Sequence, residues 1–242
     1  MLLFLPGLMC DARMFAPQLA AFPDARAVDG YGDAGTIVAM AQVALAQAPE
    51  RFDLFGHSMG GRVALEVYRL APARVRRLAL CSTGIHPLGE GEPAKRHALK
   101  AVGHAHGHEA LVDQWLPPMV AEGHRLGGDY AEMRQMCLDA GQACFDAQIE
   151  ALLGRPDVGT LLPRIACPTL VMTGALDQWS PPAQHEAIAA AIPNSQLFIV
   201  PGAGHMLTRE APGPVNDAIA RWLDMPAIDS TTATSAKERQ PS

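Results

Sequence analysis

The sequence predicts an α/β protein: a mostly parallel sheet of about six strands, interrupted once by a long helical insertion. Three observations lead there. Short apolar runs alternate with longer helical patterns over residues 1–83 and again over 163–224, the rhythm of strands that return to one sheet through helices. Residues 84–162 break that rhythm with helical stretches cut by Pro and Gly and no convincing strand. The 242 residues, 49% hydrophobic and 18% charged, make a globular chain with ample material for a core.

In chain order, Leu2 to Leu5 is an apolar strand stopped by Pro6-Gly7, and the segment 12–22 carries Met14, Phe15, Leu19 and Phe22 at helical spacing. A second strand is expected near Ala25 to Val28. Thr36 to Ala48 reads as a helix through Ile37, Met40, Ala41, Ala44 and Leu45, ended by Pro49. Phe52 to Phe55 is a third strand that runs straight into Gly56-His57-Ser58-Met59-Gly60-Gly61, then into a helix stopping before Pro72. Val75 to Cys81 is the fourth strand, apolar except for Arg76 and Arg77. After the insertion, Pro168 to Thr173 is a fifth strand, followed by a helix through Ile188 and Ile192. Gln196 to Val200 is the last strand and Pro214 to Leu223 the last helix. Residues 225–242 lack apolar periodicity and read as a flexible tail.

Composition excludes some functions. The net charge of −6 lacks the basic footprint that phosphate neutralisation requires, so nucleic acid is not an expected partner. No stretch reaches the roughly 20 apolar residues of a spanning helix, so no membrane partner is expected either. The apolar N-terminus ending at Cys10 looks like a short export signal, yet no basic residue precedes it, Pro6 breaks it and bulky Met9 stands before the cysteine. The five cysteines, at 10, 81, 137, 144 and 167, are scattered without a CxxC pair and fit reduced thiols in a cytoplasmic protein.

The chemistry centres on Ser58. Its G-x-S-x-G setting lies between an apolar strand and a helix with Val63, Ala64, Val67 and Leu70 on one face, the strand–turn–helix context of a nucleophile elbow. Glycine at 56 and 60 clears the backbone around a strained turn, and the serine stands by a helix N-terminus that favours negative charge. A Gly-rich turn for helix packing is the alternative reading of the same residues.

With these residues the chain resembles the α/β-hydrolase superfamily, over residues 1 to about 224. Asp177 follows the fifth strand in Gly174-Ala175-Leu176-Asp177, and His205 follows the sixth in Gly202-Ala203-Gly204-His205, in the family order Ser, Asp, His. Pro6-Gly7-Leu8 stands where the family has His-Gly-X; Pro6 is a departure that leaves the backbone donor intact. The resemblance implies a Ser58–His205–Asp177 triad, an oxyanion hole from the N–H groups of Leu8 and Met59, and no cofactor. It also implies a core without the family's N-terminal hairpin, whose bare sheet edge is open to solvent or to a second copy of the chain. Asp177 also suits an N-cap for the helix near Pro181, and His205 a satisfied loop histidine.

In the family the insertion between the fourth and fifth strands is a lid over the serine. Trp115 and Met119 are candidates for an acyl pocket, together with Met9, His57, Trp179 and Met206 near the expected site; Leu116, Met133, Met136 and Phe145 could equally pack the lid on the core. His57 is expected beneath the nucleophile. His104, His106 and His108, interleaved with Gly103 and Gly107, read as a solvated loop with no metal motif. Arg62 and Glu66 are expected to pair on a solvated helix face, and Arg155 and Asp157 to pair at a hinge. A small-molecule acyl substrate is thus the expected partner, cleaved as an ester, thioester or lactone. C–C bond hydrolysis, enol-lactone hydrolysis or perhydrolysis by the same triad, and a ligand receptor on the same fold, are the competing readings.

Overall fold

The computed structural model describes residues 1–32 and 34–227; the expected tail from 228 onward lies outside them. The chain runs through β1 (Leu2–Leu5), a 3-10 turn at Ala12–Phe15, α1 (Ala16–Ala21), β2 (Arg26–Ala27), α2 (Ile37–Gln47), β3 (Phe52–His57), α3 (Met59–Leu70) and β4 (Val75–Cys81). Three helices follow, α4 (Glu92–His106), α5 (His108–Trp115) and α6 (Gly128–Leu153), the last broken at Gly141. The chain then returns to the sheet through β5 (Thr169–Gly174), α7 (Pro182–Ala191), β6 (Ser195–Val200), α8 (Leu207–Glu210) and α9 (Pro212–Leu223).

All six strands are parallel, in the order β2-β1-β3-β4-β5-β6. Every residue of β1, β3 and β5 is buried, which requires cover on both faces of the sheet and explains why these strands are apolar runs. The helices supply that cover: α2 packs on α3, which lies against β1, β3 and β4, while α1 packs on α9, which lies against β5 and β6. Phe4, Phe15 and Phe55 form an aromatic cluster in the core, with Phe4 stacked on Phe15 at 4.8 Å.

Local chemistry sets the element ends. Thr36 caps α2 by accepting the Ala39 N–H at 3.0 Å. The helix expected over 12–22 is instead a 3-10 turn and a short α1, because Pro17 lacks the N–H of a continuous helix and its ring would strike the carbonyl four residues back. The two arginines that interrupt β4 meet Asp53 on β3: Arg77 reaches it at 3.0 Å and Arg76 pairs with its other oxygen. Arg77 also holds the Met225 carbonyl at 2.7 Å, tying the end of α9 to the sheet.

Two expected pairs are not formed. Arg62 and Glu66 are both buried rather than solvated, since α3 is covered along nearly its whole length. Glu66 turns to Arg69, at 2.8 Å, and Arg62 to the carbonyl of His86, at 3.1 Å. Arg155 pairs with Glu92 at the start of α4, at 2.7 Å, while Asp157 accepts the Gly159 N–H in a local turn. The histidine run is helical rather than a loop: His104 and His106 end α4, Gly107 with φ 91° turns the chain, and His108 begins α5. The run also diverges, His104 meeting Asp146 at 2.7 Å and His108 the Cys137 carbonyl at 2.9 Å. Among the described residues no helix is long and apolar enough to cross a membrane.

Candidate active site

The strand order reverses at β1, flanked by β2 on one side and β3 on the other, and such a switch point leaves a crevice at the carboxyl ends of the strands. Backbone strain collects there. Among the described residues the non-glycine positions with positive φ are Met9, Ser58 and Ser82, each just beyond β1, β3 or β4.

Ser58 sits at φ 55° and ψ −119° between β3 and α3. Three bonds hold it: its N–H donates to the Cys81 carbonyl at 2.9 Å, and its carbonyl accepts from Gly61 N–H at 2.9 Å and Thr83 Oγ1 at 2.7 Å. The flanking glycines are a steric necessity. A Cβ at Gly56 would lie 2.3 Å from the Gly60 carbonyl oxygen, and one at Gly60 would lie 2.1 Å from that of Leu5.

The turn aims Ser58 Oγ at His205, whose Nε2 lies 2.8 Å away. His205 Nδ1 lies 2.9 Å from Asp177 Oδ2 and 3.1 Å from Oδ1. The carboxylate is fixed in turn by the N–H groups of Ser180 and Trp179, at 2.8 and 2.9 Å, and by the Thr173 hydroxyl at 3.2 Å. Burial works to raise the Asp177 carboxyl, but the His205 charge, its hydrogen bond and these N–H groups outweigh it and hold the group at about 2. The turn that Asp177 caps and its contact with His205 are thus one arrangement.

The His205 loop is anchored on both sides. His205 N–H donates to the Met119 carbonyl at 2.8 Å, and His57 Nε2 lies 2.9 Å from the His205 carbonyl. A carbonyl only accepts, so His57 carries its proton on Nε2, and its buried Nδ1 meets no partner among the described residues. Burial, then the neighbouring His205, pushes His57 down to about 3, which keeps it neutral. Glu210 Oε2 accepts the N–H groups of Gly204 and Ala121, at 2.8 and 2.9 Å, joining this loop to the inserted segment.

A cavity of about 390 Å³ opens at Ser58 and His205. Leu8, Met59, Trp115, Met119 and Trp179 line it, and Ile149 and Leu152 from α6 join them. Met9, His57 and Met206, expected in the pocket, do not reach it. Met9 is turned into the core with its N–H on Gln148 Oε1 at 2.8 Å, His57 lies under the His205 loop, and Met206 is buried where the chain enters α8. Among the described residues no acceptor meets the N–H of Leu8 or of Met59. Of the other lid residues named from sequence, Leu116, Met133, Met136 and Phe145 are buried away from the cavity.

The sequence offered no sign of three further contributors. His185 on α7 accepts the Thr83 N–H at 3.0 Å, Gln148 holds the loop after β1, and Arg62 lines the cavity. Their roles depend on contacts 24 to 139 residues away along the chain, which no local pattern announces.

Comparison with known proteins places the fold. Over 179 residues the chain is 33% identical to the dihydrolipoyllysine-residue acetyltransferase component of the acetoin cleaving system of Pseudomonas putida, covering 70% of this chain and 45% of that protein. It is 26% identical over 181 residues to 2-hydroxy-6-oxononadienedioate/2-hydroxy-6-oxononatrienedioate hydrolase 2 of the same organism, covering 72% of this chain and 63% of the relative. The chain thus spans less than two thirds of the length of these curated relatives. The structure of a thermophilic esterase from Thermogutta terrifontis, solved with malate bound, superposes with a TM-score of 0.83 at 30% identity, over 92% of this chain and 88% of that one. The alpha/beta hydrolase family description matches residues 2–218. With that match over most of its length, the chain belongs to the alpha/beta hydrolase family.

Proposed function

We propose that this protein is a hydrolase that cleaves a carboxylic ester, thioester or lactone through an acyl-enzyme on Ser58. The observation that carries the reading is the unbroken line of hydrogen bonds from Asp177 through His205 to Ser58, ending at an open cavity. Ser58 Oγ attacks the carbonyl carbon while its proton passes to His205 Nε2. Asp177 holds the imidazole with Nδ1 protonated and stabilises the imidazolium. The negative oxygen is met by the N–H groups of Leu8 and Met59, each such donor being worth about 3 kcal/mol in the transition state. The departing alcohol, thiol or enol takes the proton from Nε2. Water then gives a proton to the same nitrogen, attacks the acyl carbon and releases the acid, returning Ser58 to its hydroxyl form.

In this reading residues 1–83 and 163–224 form the catalytic core and residues 84–162 a lid. Trp115, Met119, Ile149 and Leu152 supply its apolar lining. The five unpaired cysteines suit a reducing compartment. A second use of the same residues, hydrolysis of a C–C bond or an enol-lactone, draws support from the relative named a 2-hydroxy-6-oxononadienedioate hydrolase.

A fluorophosphonate probe is expected to label the wild-type protein and to fail on Ser58→Ala, whose turnover of p-nitrophenyl esters should fall by about a million-fold. A wild type that resists the probe would overturn the acyl-enzyme reading. Strong labelling with every simple ester inert would favour the second use.

A further inference from the structure

The cavity has two unlike kinds of wall. Leu8, Met59, Trp115, Met119, Ile149 and Leu152 give it an apolar one, while Arg62, His86, Glu92, Lys95 and Arg96 give it a charged one. Arg62 is one helical turn beyond Ser58 on α3 and only 7% exposed. A guanidinium has five N–H donors, yet among the described residues Arg62 makes one hydrogen bond, to the His86 carbonyl, and meets no carboxylate.

Its neighbours do not neutralise it. Arg155, buried behind the wall, takes both oxygens of Glu92 at 2.9 and 2.7 Å, and Arg96 takes Oε1 at 2.8 Å. Two guanidiniums therefore share one carboxylate and Arg62, the third, bonds to none, with Lys95 exposed alongside and Glu90 on the exposed loop nearby. The excess charge leaves its mark on other groups. Burial, then Arg155, pulls Arg62 below its usual range, and burial, then Arg62 and Arg155, does the same to His86. A buried guanidinium without a counter-charge is costly, and donors left facing a cavity are a place for an anion. One guanidinium with a planar fork of free N–H groups matches a carboxylate.

We propose that Arg62 receives a carboxylate of the substrate, so that the preferred esters, thioesters or lactones carry an anionic carboxylate on the acyl chain, remote from the scissile carbonyl. This rests on the Ser58 hydrolase reading and adds the substrate class. The apolar lining residues take the methylenes of the acyl chain, and the exposed Lys95 raises the local concentration of anions.

The test compares mono-p-nitrophenyl adipate with p-nitrophenyl hexanoate, which share a six-carbon acyl chain and differ in its terminal carboxylate. Wild-type kcat/KM is expected to be at least about tenfold higher for the adipate ester. Arg62→Gln should bring the ratio of the two close to one, while Arg62→Lys keeps part of the preference. A wild type that turns over the hexanoate equally well or better overturns the inference and leaves the hydrolase reading standing, as fluorophosphonate labelling of Ser58 would attest. An unchanged ratio in folded Arg62→Gln, or inertness of a labelled enzyme toward both esters, overturns it as well. Should Arg62→Gln not fold, the wild-type ratio decides alone.

Discussion

Ser58 holds a backbone conformation that costs about 1–3 kcal/mol, and three hydrogen bonds, with β4, the loop after it and α3, keep it there. The same economy of contacts governs Asp177, where one oxygen pair both closes a turn and orients His205. Asp177→Asn leaves the turn acceptor but disfavours the imidazole tautomer with Nδ1 protonated. It should lower kcat by about ten-thousand-fold with KM little changed, read from ester turnover. The carboxyl is held below its unfolded value, near 4, at about 2. Its stabilisation is therefore complete above about pH 4 and disappears as the pH falls through about 2. Urea midpoints of wild type and Asp177→Asn should accordingly differ most at neutral pH and converge between pH 4 and 2; a gap constant with pH would contradict this linkage.

Elements were legible from sequence where one face or a whole run reported burial. β4 has the expected ends, and α2 lies one residue inside its expected span at either end, because Thr36 and Pro49 are local signals. The nucleophile turn and the positions of Asp177 and His205 follow strands that are easily read, so the residues in contact could be named in advance. Arg62 could not be placed, since its spacing to Glu66 is equally that of a solvated pair; only the cover over α3 decides. Nor could Gln148, which sits in α6 and holds Met9 N–H on the loop after β1, a bond spanning 139 residues. That bond fixes the residue next to Leu8, whose N–H is a proposed oxyanion donor. Gln148→Ala is expected to lower kcat by about ten- to hundred-fold through a misplaced oxyanion donor, with KM nearly unchanged. Slower fluorophosphonate labelling at the same final extent would show that the effect lies in the reaction step.

At the scale of the whole molecule, the inserted helices are held to the core and to one another by contacts of very different worth. Arg13 reaches Asp139 on α6, but both side chains are nearly half exposed, so Arg13→Ala should change stability by no more than about 1 kcal/mol. Arg155 is only 2% exposed and binds both oxygens of Glu92. Arg155→Met leaves that carboxylate without its buried partner and should destabilise by about 3 kcal/mol, measured by urea denaturation. A smaller loss for Arg155→Met than for Arg13→Ala would overturn this ranking. Composition and periodicity announced the insertion, yet they gave no hint of which of its charges would be buried, because that depends on how α4 and α6 lie over the sheet.

Gly7 binds the site to the order in which the chain comes together. A side chain there would press on Ser58 Cβ at 3.0 Å and His57 Nδ1 at 3.1 Å, so the loop after β1 and the turn after β3 occupy interlocking space. With Asp177 following β5 and His205 following β6, the site draws on the loops after four different strands. In the proposed mechanism, a chain whose β6 has not yet joined the sheet holds Ser58 without the base that would rouse it, so hydrolysis would wait on the docking of that strand.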